Sequence, residues 1–130
     1  MTLRAVIISA GLFAAAAALP ATAHHSYAMF DDEKKMTVQG TVKLFQWTNP
    51  HGWIHVTVPD AQGKPVVWSI ETGAPNGMAR QGWLPKTIVP GDKISITFHP
   101  LRNGRPGGSY MSATLPGGKV MGNPNGGGGD

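Results

Sequence analysis

Residues 53–71, with the sequence WIHVTVPDAQGKPVVWSIE, carry the clearest strand pattern in the chain. Apolar residues occupy every second position on both sides of segment 60–63, whose Asp60 and Gly63 favour a turn. These apolar positions are Ile54, Val56, Val58, Val66, Trp68 and Ile70. A two-residue period is typical of strands with one buried face, and a short turn between two such strands makes a hairpin. The stretch therefore predicts two antiparallel strands that share one buried face.

Strands with the same period flank this hairpin along the chain. The apolar face comprises Val38, Gly40, Val42 and Leu44 in residues 38–47, and Ile94, Ile96 and Phe98 in residues 93–99. A glycine inside a strand commonly marks a bend or a bulge, which we expect at Gly40. Residues 109–115 predict a fifth strand.

A break in the period separates the third and fourth strands. Between residues 75 and 83, Met78, Ala79 and Trp83 can share one side of a short helix that Gly82 closes. Three strands, a short helix and two strands follow the element order of an oligonucleotide/oligosaccharide-binding (OB) barrel. The sequence therefore predicts a mainly β, five-stranded OB-like barrel over residues 38–118. An open sandwich is the alternative.

The first 23 residues predict a cleavable secretory signal. Arg4 precedes an apolar run, residues 5–19, and the small-x-small pattern of residues 21–23 predicts cleavage after Ala23. A run of this length spans only about 22 Å as a helix, which is less than the roughly 30 Å hydrocarbon core of a bilayer. We therefore expect a periplasmic or secreted protein that has no membrane anchor after cleavage.

Two further segments flank the predicted barrel. Residues 24–37 form a His-containing N-terminal segment, and residues 119–130 predict a disordered, Gly-rich tail. The chain carries 11 Lys and Arg against 7 Asp and Glu, and the basic residues are scattered rather than clustered. Scattered charge and export together predict that nucleic acid is not a partner.

Four segments of the chain carry a resemblance to a known family. They are residues 24–31, 47–53, 75–83 and 90–92, with the sequences HHSYAMFD, WTNPHGW, PNGMARQGW and PGD. In these segments the chain resembles the short exported bacterial proteins of the domain-of-unknown-function family numbered 6152. The resemblance covers nearly the whole predicted mature chain. It implies an OB-like barrel and export, and it implies no activity.

Large aromatic side chains fall on the predicted outward face of the first two strands. Exposed aromatic groups beside polar ones commonly mark a surface that a ligand, a partner or the protein itself covers. The sequence therefore predicts a binding face for an unknown protein partner or small ligand. This face comprises Phe45, Trp47, His51, Trp53, His55 and Glu71. The alternative is that the helix or the N-terminal segment covers these residues as a second small core.

The predicted new N-terminus carries a candidate copper site. Cleavage after Ala23 would leave His24 with a free amine, which can chelate a metal ion together with the His24 ring. His25 or Met29 could add a ligand. Nitrogen ligands of this kind suit copper(II), which stands at the top of the affinity order for divalent ions. The alternative is a frayed chain start without bound metal.

Catalytic chemistry has little support in the sequence. The chain has no cysteine and no Gly-x-Ser-x-Gly motif. A hydrolase that uses His55 and Glu71 across the second and third strands is the weakest alternative, because cross-strand pairs of this kind are more often structural. The sequence therefore predicts a non-catalytic binding module.

Overall fold

The computed structural model describes residues 27–126. Within this range the chain forms six strands, one α-helix and one short 3₁₀ helix, Tyr27–Met29. The strands are β1 (Met36–Gln46), β2 (Trp53–Pro59), β3 (Pro65–Glu71), β4 (Lys93–Pro100), β5 (Gly107–Thr114) and β6 (Val120–Gly122), and helix α1 (Pro75–Arg80) lies between β3 and β4. No helix among residues 27–126 has the length and apolar content needed to cross a bilayer.

The first five strands close into a barrel. They pair in the order β3-β2-β1-β4-β5, and a parallel pairing of β3 with β5 joins the two ends. Closure removes the free edges that an open sheet would present. The prediction of a mainly β, five-stranded OB-like barrel with one short helix between strands three and four is confirmed.

Strand β1 serves both halves of the barrel. Its residues 36–41 pair with β4 and its residues 41–46 pair with β2. The strands approach so closely at Gly40 that a Cβ there would lie 2.4 Å from the carbonyl oxygen of Thr57. Glycine at this position therefore allows β1 to turn from one partner strand to the other.

A register shift between Val42 and Leu44 changes which side chains of β1 face the core. Val42 is 2% exposed, whereas Leu44 is 44% exposed. Beyond the shift, Phe45 and Trp47 pack against the core. An extra residue in one strand reverses the alternation that follows it. The prediction that Leu44 faces inward and that Phe45 and Trp47 face outward is therefore corrected.

Trp83 lies at the centre of the core and is fully buried. Its ring centroid lies 5.6 Å from that of Phe45 and 5.7 Å from that of Tyr110. Helix α1 ends just before it, and Gly82 takes the positive φ of 94° that turns the chain into the core. Helix α1 supplies Met78 and the turn after it supplies Trp83 to one hydrophobic cluster.

The end of the described chain also belongs to the fold. Residues 120–122 form β6, which pairs with β5, and Met121 is 3% exposed within the core cluster. The sequence predicts disorder from residue 119, so the structure differs over these residues. Two adjacent apolar residues, Val120 and Met121, leave no periodic pattern among the glycines, although only Met121 is buried in the short strand.

Candidate ligand-binding groove

A groove of about 480 Å³ lies where the start of β2 and the end of β3 meet the loop between β4 and β5. The sheet side contributes Trp53, Ser69 and Glu71, the loop contributes Leu101, Asn103 and Arg105, and the N-terminal segment contributes Met29 and Phe30. The groove therefore joins an aromatic ring, a carboxylate and a guanidinium group in one hollow.

The hairpin predicted from residues 53–71 positions the sheet side of the groove. Trp53 lies opposite Glu71 and His55 lies opposite Ser69 in the antiparallel register of β2 and β3. Because alternate residues of a strand share a face, these four side chains lie on one surface of the barrel. Strands rather than loops thus hold the polar groups of the sheet side.

Backbone hydrogen bonds hold the opposite side of the groove in place. Leu101 forms a bridge with Phe30, and the Arg102 amide donates to the Met29 carbonyl at 2.9 Å. The Asn103 side-chain oxygen accepts from the Arg105 amide at 3.0 Å. The loop between β4 and β5 is therefore tied both to itself and to the N-terminal segment.

Two glycines at the start of β5 let this strand reach the rest of the barrel. A Cβ on Gly107 would lie 2.8 Å from the Ser69 carbonyl oxygen, and one on Gly108 would lie 2.3 Å from the His99 carbonyl oxygen. Contacts this close leave no room for a side chain. Glycine at these two positions therefore allows β5 to pack closely against β3 and β4.

His55 forms hydrogen bonds with both of its ring nitrogens. Its Nδ1 lies 2.9 Å from the Ser69 hydroxyl oxygen, and its Nε2 lies 2.9 Å from the Gln46 side-chain oxygen. Burial lowers the pKa of His55, and the positive charge of Lys43 lowers it further. The ring is therefore neutral at pH 7. It stacks on Trp53 with a centroid separation of 6.3 Å.

Glu71 lies next to a different histidine. The Nδ1 atom of His51 lies 3.5 Å from a carboxylate oxygen of Glu71 and 3.1 Å from the Thr72 carbonyl oxygen. Glu71 is 8% exposed. The predicted pairing of His55 with Glu71 is therefore not formed, because His55 bonds to Ser69 and Gln46 instead.

The structure divides the predicted binding face. Trp53, His55, Glu71 and His51 lie together at the outer ends of β2 and β3, whereas Phe45 and Trp47 lie on the core side of β1. Phe45 and Trp47 contact each other edge to face, with centroids 5.7 Å apart. These two residues pack against the main core cluster, so they form neither the predicted binding face nor a second small core.

Sequence reasoning missed the groove residues Ser69, Asn103 and Arg105. The hairpin register places Ser69 directly opposite His55, so pairing the two predicted strands could have found it. The loop residues carry no such signal. They reach the groove because β4 and β5 return the chain to the sheet more than 30 residues after β3 ends.

The proposed copper ligands lie mostly outside the described residues. His24 and His25 precede this range, and Met29, which is 47% exposed, lines the edge of the groove. Within residues 27–126, no group of three or more His, Asp or Glu side chains is arranged to hold a metal ion. Copper binding at the new N-terminus stays a prediction.

Comparisons with known proteins place the chain in a family and give its barrel distant structural neighbours. A model described as "Family of unknown function (DUF6152)" matches residues 12–110. No curated protein matches the chain.

Two crystal structures of the mitochondrial single-stranded DNA-binding protein Rim1 from S. cerevisiae are similar to the barrel. Both share 11% sequence identity with the chain. The first covers 63% of this chain and 92% of its own, with a TM-score of 0.48. The second, a selenomethionine form, covers 69% and 96%, with a TM-score of 0.43.

These neighbours correct the exclusion of nucleic acid as a partner. That exclusion followed from scattered basic residues and predicted export, whereas the similar barrels are single-stranded DNA-binding proteins. The prediction that nucleic acid is not a partner is therefore corrected. At 11% identity the likeness describes the fold and assigns no ligand to this chain.

Proposed function

The chain belongs to DUF6152, a family of unknown function, and from the geometry of its groove we propose that it is an exported, non-catalytic binding module for a small ligand. The ligand lies between Trp53 and Glu71 on the sheet side and the loop between β4 and β5 on the other side. One observation carries this proposal. It is the meeting of a half-buried tryptophan with polar side chains in a single groove.

The size of the groove favours a small molecule over a protein partner. Its volume of about 480 Å³ falls within the range of about 300–1,000 Å³ that is usual for small-molecule sites. A stable protein interface buries about 800 Å² on each partner, which requires a broad surface rather than a hollow. A ligand of a few rings or a short chain fits this space.

The position of the groove in the barrel supports the same proposal. OB-type barrels commonly bind ligands on the face of their second and third strands, with the loops beside it. In this chain the groove uses β2, β3 and the loop between β4 and β5. Because the strands are fixed by their backbone ladders, the ligand meets a preformed surface.

The surroundings of His55 favour binding over catalysis. A serine–histidine pair acts as a nucleophile when a carboxylate orients the histidine and stabilises its charged form. Here the neutral amide of Gln46 takes that place, while Glu71 lies beside His51. Burial and Lys43 also oppose protonation of His55. The arrangement therefore favours a fixed, uncharged hydrogen-bond chain.

Native mass spectrometry of the protein recovered from the cell envelope tests the proposed function. We expect a small-molecule adduct on the wild-type chain that is lost from Trp53→Ala and from Glu71→Gln. Leu84→Ser is the control, because Leu84 is 65% exposed and does not line the groove. An adduct that persists in both groove variants contradicts the proposal.

Export is part of the proposal and has its own measurement. N-terminal sequencing of the envelope protein should begin at His24, because residues 21–23 match the signal-peptidase pattern. A chain that begins at Met1 contradicts the export prediction and also removes the free amine on which copper binding depends.

A further inference from the structure

The direction of the hydrogen bonds around His55 determines what the groove can recognise. The Gln46 side-chain oxygen can only accept a hydrogen bond, so the Nε2 atom of His55 must carry the hydrogen that joins them. In a neutral ring the other nitrogen, Nδ1, then carries a lone pair. Nδ1 therefore accepts, and the Ser69 hydroxyl donates its hydrogen to it at 2.9 Å.

With these hydrogen bonds in place, Ser69 can only accept a hydrogen bond from a ligand in the groove. Its only hydroxyl hydrogen is directed at His55, so the oxygen presents lone pairs to the groove that it lines. Glu71 is two residues further along the same strand, about 7 Å away, with its side chain on the same face. Its carboxylate also accepts hydrogen bonds only.

The remaining groups in the groove complete the pattern. Trp53, opposite Glu71 in the register, offers an aromatic face that attracts apolar groups and cations. Donors stand on the other side, since Arg105 carries a guanidinium group and the Asn103 oxygen is already bonded to the Arg105 amide. Acceptors thus line the sheet side and donors line the loop side.

We infer that the sheet side of the groove is an acceptor surface, formed by Ser69 and Glu71, that selects ligands presenting hydrogen-bond donors beside an apolar body. An ammonium group and a hydroxyl group share this donor chemistry. A carboxylate does not, because its oxygens would face the Glu71 carboxylate and the Ser69 lone pairs. This inference rests on the proposed function, since it names the chemistry of the same groove.

Three fragments of similar size test the inference. They are 2-phenylethylamine, 2-phenylethanol and 3-phenylpropionate, which join one phenyl ring to an ammonium, a hydroxyl or a carboxylate group. Each is titrated into the isotope-labelled protein while the indole N–H signal of Trp53 is followed by NMR. We expect the amine and the alcohol to shift this signal with saturation. The carboxylate can pair only with the Arg105 guanidinium on the loop side, so its effect on this signal should not weaken in Ser69→Ala or in Glu71→Gln.

Two variants separate the contributions of the acceptor groups and the two kinds of donor ligand. Ser69→Ala removes one hydrogen-bond acceptor and should weaken binding of the alcohol by about fivefold and of the amine by at least as much. Glu71→Gln should weaken the amine by about tenfold or more and the alcohol by about twofold, because only the ammonium loses an ion pair. Ser95→Ala is the matched control, since Ser95 lies on β4 and does not line this groove.

The hydrogen-bond order around His55 has a readout that needs no ligand. Nitrogen-15 NMR should show the neutral tautomer with its hydrogen on Nε2, and Ser69→Ala should leave that tautomer in place. A hydrogen on Nδ1 would overturn the inference, because Ser69 could then donate into the groove.

The fragment titrations distinguish a failure of the acceptor-surface inference from a failure of the proposed function. If Ser69→Ala and Glu71→Gln weaken the carboxylate as much as they weaken the amine, the groove remains a ligand site and the acceptor surface is wrong. If all three fragments leave Trp53 unchanged, the groove does not hold ligands of this size. The proposed function then fails together with the inference.

Discussion

Trp83 and Trp53 show two different uses of the same side chain. Trp83 is fully buried, and its ring nitrogen donates to the Tyr110 hydroxyl, which in turn donates to the Met121 carbonyl. Trp53 is half-buried, stacks on His55 and lines the groove. A tryptophan whose polar atom is satisfied inside the core serves the fold, whereas one that borders polar side chains in an open groove is available to a ligand.

The difference between these regions extends to their neighbours. The cluster around Trp83 contains Phe45 and Trp47, which sequence alternation assigns to the outer face together with Trp53. One register shift in β1 separates them. An assignment from residue type alone would therefore place core residues and candidate binding residues on the same surface.

Truncation of the two tryptophans should separate the regions most strongly. Trp83→Ala should lower the free energy of unfolding by about 3–5 kcal/mol, because a large, fully buried ring leaves a cavity. A domain of this kind has a total stability of only about 5–15 kcal/mol. Urea denaturation followed by circular dichroism measures the loss.

Trp53→Ala is the matched comparison for this measurement. We expect it to cost clearly less than Trp83→Ala, because part of its ring surface is already exposed in the native state. Equal losses at the two positions would show that Trp53 belongs to the core and would break the contrast between the regions.

Removal of the Tyr110 hydroxyl should have a smaller effect on the core side. Tyr110→Phe leaves the ring nitrogen of Trp83 and the carbonyl of Met121 without this partner, which should cost about 1–3 kcal/mol. Thermal unfolding at pH 7 measures the change. A neutral result would mean that water replaces the hydroxyl and that the Trp83 cluster is open to solvent.

The same hydroxyl gives the core side a dependence on alkaline pH. Burial raises the pKa of Tyr110 to about 12, above the value of about 10 that it has in an unfolded chain. Between these values the unfolded state binds fewer protons, so stability should fall as pH rises from about 10 toward 12. Tyr110→Phe should remove this part of the pH dependence.

The groove side should show the opposite trend at acid pH, with a weaker effect. Burial lowers the pKa of His55 below its ordinary value of about 6.5, so the unfolded state binds more protons just below that pH. Stability should therefore fall as pH drops through about 6.5 and level off below the folded pKa. His55→Gln should reduce this slope relative to wild type. His99→Gln is a control outside the groove.

The copper prediction concerns the N-terminal segment that precedes both regions. We expect copper binding there to change the stability of neither region by much. One alanine placed before His24 converts its amine into an amide and keeps His24, His25 and Met29 in the chain. We expect copper(II) to bind the mature protein more tightly from pH 6 to 8, with proton release, and to bind the extended form far less. Isothermal titration of both forms measures this, and equal affinity would exclude the N-terminal chelate.

Strands with uninterrupted alternation could be predicted from the amino-acid sequence. The buried positions of β2 and β4 follow the two-residue pattern, with Ile54, Val56, Ile94, Ile96 and Phe98 inside. Gly82 likewise marks the end of the helical segment. Local period and turn chemistry are properties of short segments, so a single sequence displays them, and the order of the elements then leads to the OB-like barrel.

The grouping of aromatic side chains on a surface, and the residues that surround them, depend on pairing between strands and could not be predicted from the sequence. The register shift after Val42 depends on how β1 pairs with β2, and the positions of Asn103 and Arg105 depend on where β5 meets β3. Met121 enters the core for the same kind of reason, because β6 pairs with β5. Each of these outcomes follows from contacts between residues that are distant in the sequence. Residue type and local spacing do not reveal such contacts, because they describe only short segments of the chain.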